Sequence, residues 1–342
     1  MITNLISEEQ KAAFDADGVL CIRGAITAAE VELLREATSA QLRERSRSST
    51  GYDFEDLARQ LWTRDLTEDV DVAEAERFDM DFFKSVIIED PQARPLLDGE
   101  LSDDEGCFLY EVAAWQRLAG VRQVAFDSRL AQISAELLDA RYVNFWEDTT
   151  FVKAPRTRQR TAFHQDLAYF QIEGDECVIV WIPLDEANEA NGTLEYVRGS
   201  HKWGETYAPN MFITQTPMAY SPHDRCPDIE ANRDDYDIVS FDVSPGDVII
   251  HHVKTIHGAG GNPTDTWRRA MSFRYCGDQV RYYDRPGAIP QTGVSHALKD
   301  GDPLFARDYP IVWPKPWPEA RLSDFYDLSF GKTEERALVS AA

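Results

Sequence analysis

Residues 177–199, CVIVWIPLDEANEANGTLEYVRG, place two short apolar runs around a polar, turn-forming segment. Cys177 to Leu184 is apolar and rich in β-branched residues, and it is too short for an ordinary helix. Thr193 to Val197 is a second run, bounded by Asn191-Gly192 and Gly199, residue types that turns favour. The pattern recurs at Asn144 to Lys153, Asp247 to His252 and Ala270 to Tyr275, with Pro155 and Pro245-Gly246 between the runs. Many short strands at this spacing predict a β-sandwich or barrel.

Helices flank that core. Gly18 to Ile22 reads as a first strand. Thr27-Ala28-Ala29-Glu30 fits a capping box followed by Val31, Leu34 and Ala37 at helical spacing. A second amphipathic helix, about Asp127 to Leu138, carries Leu130, Ile133, Leu137 and Leu138. Residues 46–105 are acidic and aromatic with weak periodicity, an insert outside the main sheet. The expectation is therefore a mainly β chain with flanking helices in a single domain, 1–342. Within it, 1–140 is a helical N-terminal support carrying the insert, and 142–280 is the core. A long loop, about 200–240, crosses one mouth of that core, and 281–342 is a C-terminal extension.

Composition narrows the partners. The chain has 342 residues, 43% hydrophobic and 11% aromatic, enough for a sizeable core. Thirty-five basic and sixty acidic residues leave a formal net charge of −25. Such a surface repels nucleic acid and anionic lipid, so a small molecule is the expected partner. No eighteen-residue apolar run occurs, and MITNLISEEQ lacks the basic start and apolar stretch of a signal peptide, which predicts a cytoplasmic protein. The five cysteines are scattered, odd in number and free of C-x-x-C pairs, so they read as free thiols.

Chemistry concentrates in residues 163–170, FHQDLAYF. In extended backbone, residues i and i+2 share a face, so His164 and Asp166 can both aim into a barrel while Gln165 points away. An imidazole and a carboxylate suit a divalent transition metal, but a third ligand is needed. His251, His252 and His257, in PGDVIIHHVKTIHGAGGN, are the candidates. The Gly258-Ala259-Gly260-Gly261 run would let backbone pass close to a bound ligand. Next, RRAMSFRY puts Arg268, Ala270, Ser272 and Arg274 on one strand face. An arginine inside a barrel demands an anionic partner, and its planar fork fits a carboxylate. Two histidines, a carboxylate and a buried arginine are the parts that hold ferrous iron and a dicarboxylate co-substrate.

FVKAP, FHQDLAYF, VWIPLDEANEANGTLEYVRGSHKW, PGDVIIHHVKTIHGAGGN and RRAMSFRY, in that order, resemble the phytanoyl-CoA dioxygenase family, from Phe14 to about Pro314. The resemblance implies a double-stranded β-helix (a jelly roll, cupin-like) core and an Fe(II)- and 2-oxoglutarate-dependent dioxygenase that consumes O2 and releases succinate and CO2. It also implies that His164, Asp166 and His257 are the iron ligands and Arg268 the partner of the far carboxylate of 2-oxoglutarate, with Trp181 and Thr149 as further co-substrate contacts. Ala259 departs from a serine that some members carry, which removes one co-substrate hydrogen bond. Asp166 itself argues for hydroxylation, because related halogenases put a small residue there. Gln116 and Tyr169 are candidates on the substrate side, and His251 or His252 is expected to support the ligands. The family acts on varied substrates. The acidic balance disfavours acyl-CoA, although Arg156, Arg158 and Arg160 could form a local basic patch, and it points to a small or medium-sized neutral or zwitterionic metabolite. The rival readings are a cupin-like metal-dependent hydrolase or isomerase without 2-oxoglutarate, and a binding protein that keeps the fold without catalysis.

Overall fold

The computed structural model describes residues 4–44, 51–53 and 106–315, apart from 211, 214, 216, 218–220, 287, 289, 290, 292, 293, 295, 296 and 307. Helix α1 (Glu8–Asp17) leads into strand β1 (Val19–Ile22), helix α2 (Ala28–Glu44) and the short strand β2 (Gly51–Asp53). Strand β3 (Phe108–Val112) and helices α3 (Ala119–Asp127) and α4 (Leu130–Leu138) precede the long strand β4 (Val143–Lys153). Then come β5 (Thr161–His164), β6 (Ile172–Glu173), β7 (Cys177–Pro183), β8 (Leu194–Val197), β9 (Ile238–Ser240) and β10 (Val248–His252). The series ends with β11 (His257–Ala259), β12 (Arg268–Gly277), β13 (Arg281–Tyr282) and β14 (Ile311–Trp313).

The major sheet runs β1-β10-β7-β12-β4-β3-β2, with β14 also on β4, and the minor sheet runs β5-β11-β8-β9. From β4 to β12 the chain steps between them: β4, β7, β10 and β12 are major, β5, β8, β9 and β11 are minor, and β6 pairs separately with β13. All of these pairings are antiparallel. Alternation along β7 explains the two sides. Val178, Val180 and Ile182 join the core under the helices, whereas Trp181 packs with Ile249, Leu194, Tyr196 and Ala259 between the sheets. Two facing antiparallel sheets wound in this way form the jelly roll, so the mainly β class with flanking helices holds.

Local chemistry fixes the helix starts. Thr27 and Glu30 cap each other as expected: the Thr27 N–H donates to Glu30 Oε2 at 2.7 Å and the Glu30 N–H to Thr27 Oγ1 at 3.3 Å. Ser7 and Gln10 build a second capping box in front of α1. The segment expected as one helix over 127–138 begins at Leu130, and a separate helix, α3, precedes it. The sequence also understates the major sheet, because β1, β2, β3 and β14 come from outside 142–280, and β2 belongs to the insert expected outside that sheet. The acidic insert lies outside the described residues except for Gly51–Asp53. All five cysteines are free, and among the described residues no helix is long and apolar enough to cross a membrane.

The glycine run after His257 serves backbone packing. A Cβ on Gly261 would sit 2.7 Å from Arg158 O and 2.8 Å from Thr157 O, and one on Gly258 would sit 3.0 Å from Thr161 O. These glycines therefore let β11 and its continuation press against the chain entering β5. At these two positions the clearance goes to neighbouring backbone, while a Cβ on Gly260 would meet nothing within 4 Å. Gly261→Ala is expected to destabilise the fold by about 1–3 kcal/mol through forced backbone displacement, read as a lowered midpoint in thermal or urea unfolding.

Candidate metal centre

β5 and β11 lie side by side, and their register places His164 directly opposite His257. β5 ends at His164. Gln165 keeps extended angles (φ −106°, ψ 137°), and Asp166 opens the 3-10 turn Asp166–Tyr169. The i, i+2 alternation thus survives one residue beyond the strand, long enough to return Asp166 to the side of His164. Gln165 points away as expected, accepting from the Tyr207 N–H at 3.0 Å and donating to Glu205 O at 3.3 Å.

His164, Asp166 and His257 are all buried, and one potential ligand atom from each lies within 4.8 Å of the others. His164 Nε2 is 3.5 Å from Asp166 Oδ1, and His257 Nε2 is 3.9 Å from Asp166 Oδ2. Each ligand imidazole has its other nitrogen against a carbonyl: His164 Nδ1 donates to Ala162 O at 2.7 Å and His257 Nδ1 to Thr255 O at 3.0 Å. A carbonyl can only accept, so Nδ1 carries the proton and the Nε2 lone pair faces the carboxylate. This is the tautomer a metal needs.

Burial pushes the His257 imidazole well below its ordinary range, and the neighbouring His251 and His164 push it the same way. Burial opposes ionisation of Asp166, yet its imidazole surroundings, with the Nε2–H of His251 hydrogen-bonded to Oδ2, hold that carboxyl well below its usual range. Neutral imidazoles and an ionised carboxylate are the donor forms for a divalent ion.

The strand parity left open between His251 and His252 is settled by register. His251 faces inward and donates through Nε2 to Asp166 Oδ2 at 3.2 Å, and the Tyr196 hydroxyl donates to its Nδ1 at 3.3 Å. His252 turns away and packs against His201, ring centroids 5.2 Å apart. Because His251 orients the carboxylate, His251→Ala is expected to weaken iron(II) binding by about 10- to 100-fold, measured by anaerobic metal titration.

Arg268 lies on the inward face of β12. It is 2% exposed, its guanidinium sits 5.8 Å from the Trp181 ring centroid, and its buried Nε has no acceptor among the described residues. Burial lowers the guanidinium to about 10, with Asp185 acting in the opposite direction, so it stays cationic at neutral pH. Lys153, opposite Arg268 in register, gives its ammonium to Gly260 O at 2.6 Å. A buried guanidinium whose Nε has no acceptor among the described residues is the cradle a carboxylate would fill, and the donor set of the triad suits iron.

The remaining sequence candidates divide. Trp181 is buried on the inner face beside Arg268. Thr149 is buried on β4 and accepts from Arg274 Nη1 at 2.6 Å. Tyr169 meets the His164 ring edge-on at 5.5 Å and donates from its hydroxyl to Asn210 Oδ1 at 2.8 Å. Phe212, from the long loop, also reaches His164, with centroids 5.5 Å apart. Gln116 is exposed in the turn between β3 and α3 and is not brought to the triad.

Residues 14–270 match the family described as Phytanoyl-CoA dioxygenase (PhyH). The chain belongs to the phytanoyl-CoA dioxygenase family. A probable phytanoyl-CoA dioxygenase of Caenorhabditis elegans is 28% identical over 135 residues, 39% of this chain and 42% of the relative. The human peroxisomal phytanoyl-CoA dioxygenase is 26% identical over 154 residues, 42% of this chain and 44% of the relative. The alignments therefore span less than half the length of these curated relatives. Among solved structures, the non-heme alpha ketoglutarate dependent carbocyclase SnoK from nogalamycin biosynthesis superposes with a TM-score of 0.61 at 19% identity, covering 90% of this chain and 97% of that one. EctD from S. alaskensis, solved with 2-oxoglutarate and 5-hydroxyectoine, gives 0.56 at 19% identity, covering 89% and 88%. These likenesses establish the double-stranded β-helix fold. Iron and 2-oxoglutarate are the cofactors of the family, and its histidine-x-aspartate…histidine set is present here.

Proposed function

We propose that this protein hydroxylates an unactivated C–H bond of a small or medium-sized metabolite, consuming 2-oxoglutarate and O2 and releasing succinate and CO2. The observation that carries the reading is the pairing of the buried triad with Arg268, whose Nε finds no acceptor among the described residues. A metal-only hydrolase has no use for a buried arginine whose Nε lacks an acceptor among the described residues, and an oxygenase needs one for the far carboxylate of its co-substrate.

His164, Asp166 and His257 would hold the iron. When bound, iron and 2-oxoglutarate supply the oxidising power for C–H cleavage. This chain's residues do the rest. Arg268 and Trp181 grip the co-substrate, with Thr149 nearby on β4. His251 holds Asp166 in place. Tyr169 and Phe212 wall the space beside His164 and exclude water from the reacting centre.

Retention of Asp166 supports hydroxylation over halogenation. An epimerase and a carbocyclase share the fold, so the oxidative outcome is read from product. The test is a screen of a metabolite library for 2-oxoglutarate-dependent succinate release, with mass spectrometry of each hit. A gain of one oxygen atom matches hydroxylation. A product of unchanged mass or two hydrogens lighter assigns a different outcome.

A further inference from the structure

Arg274 is a second buried arginine on the inner wall, and the co-substrate reading leaves it unused. His251, Ile179, Arg274 and Glu147 stand in register across β10, β7, β12 and β4, so Arg274 lies in the same row as the histidine that holds Asp166. It is 5% exposed and gives Nη1 to Thr149 Oγ1 at 2.6 Å, while its buried Nε has no acceptor among the described residues. The guanidinium sits 5.2 Å from the ring centroid of Phe170, which closes the turn begun by Asp166. Ser272, on the same face, has a buried hydroxyl that also lacks a partner among the described residues.

Glu147 is the register partner of Arg274 and is 8% exposed. Its polar contact among the described residues is a long one, from Gln291 Nε2 at 3.5 Å. No ion pair joins Arg274 to Glu147 among the described residues, although they are neighbours on adjacent strands. Burial pushes the Glu147 carboxyl up to about 7, and Arg274 pulls it down only in part. Burying both charges unjoined costs stability that a direct pair would recover. The arrangement makes sense if something else joins them.

Arg268 and Arg274 are six residues apart on one strand, about 20 Å along the backbone. A five-carbon diacid held at Arg268 and the iron has no carboxylate left for Arg274. Adjacent strands, in contrast, lie about 4.8 Å apart, a spacing that suits the two charges of a compact zwitterion.

We propose that Arg274 and Glu147 are the substrate anchor, and that the substrate is a zwitterion whose carboxylate meets Arg274 and whose cationic nitrogen meets Glu147. The assignment rests on the oxygenase reading above and names the substrate class for it. Ser272 and Thr149 border the carboxylate side, and the planar fork of Arg274 sets the orientation in which a carbon is presented to the iron.

The test uses the full chain, loaded anaerobically with iron(II) and 2-oxoglutarate, in binding calorimetry. The panel is a set of amino acids and their N-methylated forms, each matched to its decarboxylated amine and its N-acylated acid. Zwitterions are expected to bind and the matched molecules to bind far more weakly. Arg274→Gln should weaken zwitterion binding about 100-fold, the cost of removing one partner from a buried charged contact, and Arg274→Lys should restore part of it. The decarboxylated amines should bind wild type and Arg274→Gln alike. Glu147→Gln should shift preference toward the N-acylated acids. In turnover, the Arg274→Gln defect should fall on KM more than on kcat. Equal losses for amines and zwitterions would show a merely structural role and overturn the proposal. So would a preference for neutral or N-acylated molecules, or no zwitterion binding, in a protein that releases succinate from 2-oxoglutarate. A wild-type protein that releases none overturns the oxygenase reading itself.

Discussion

Arg268→Met should remove 2-oxoglutarate binding while making the ligand-free protein more stable. Both effects follow from one fact: a guanidinium 2% exposed whose Nε has no acceptor among the described residues. In the wild type the desolvation cost of that charge is offset only when a carboxylate arrives. A truncated partner in a buried charge pair costs about 2–5 kcal/mol, so co-substrate affinity should fall by roughly two to three orders of magnitude. Exchanging a buried, unpaired charge for an apolar side chain of similar volume should stabilise the free protein by about 1–4 kcal/mol. Thermal unfolding reads both. The variant should melt above the wild type without ligand, and 2-oxoglutarate with iron(II) should no longer raise the midpoint. A variant that keeps a wild-type ligand shift would show that Arg268 does not hold the co-substrate. The metal-only rival predicts that outcome.

Much of this site was legible in the sequence because strand alternation is a strict geometric rule. It put His164 and Asp166 on one side, sent Gln165 to the other, and listed Arg268, Ala270, Ser272 and Arg274 together. What it could not supply was register. Alternation alone cannot choose between His251 and His252, because the parity of β10 is set by its pairing with β1 and β7. Nor can it say which arginine is paired. Arg269 satisfies itself bidentately on Asp185 at 2.9 and 2.7 Å, whereas Arg268 and Arg274 keep unpartnered nitrogens. That difference arises from residues far away in sequence. One short strand was missed for a related reason. β11 is three residues long and contains a glycine, so it shows no periodicity of its own. Its pairing with β5 and β8 makes it a strand. Gln116 fell to the same limit: a residue in the chain before the barrel can face the cavity or the solvent, and here it is exposed.

Asp166→Ala should abolish iron(II) binding, with affinity lowered by more than about 1000-fold, since removing a ligand exceeds the roughly 10- to 100-fold cost of losing a residue that only supports one. Three imidazoles converge on this carboxylate. His251 Nε2 lies 3.2 Å from it, His164 Nε2 3.5 Å and His257 Nε2 3.9 Å. Without it the two facing ligand histidines, ring centroids 4.4 Å apart, have no anion to balance a divalent charge in a buried site. His251 also loses the acceptor of its Nε2–H. Anaerobic titration should therefore give a wild-type protein that binds one iron and develops a visible iron-to-ketoacid band with 2-oxoglutarate, and a variant that develops none. Succinate release should fall below detection. The fold should persist, because the jelly-roll core is built from apolar contacts that do not involve Asp166, and cooperative thermal unfolding of the variant checks this. A folded Asp166→Ala protein that still binds iron with wild-type affinity would remove Asp166 from the ligand set, and with it the reason His251 sits where it does.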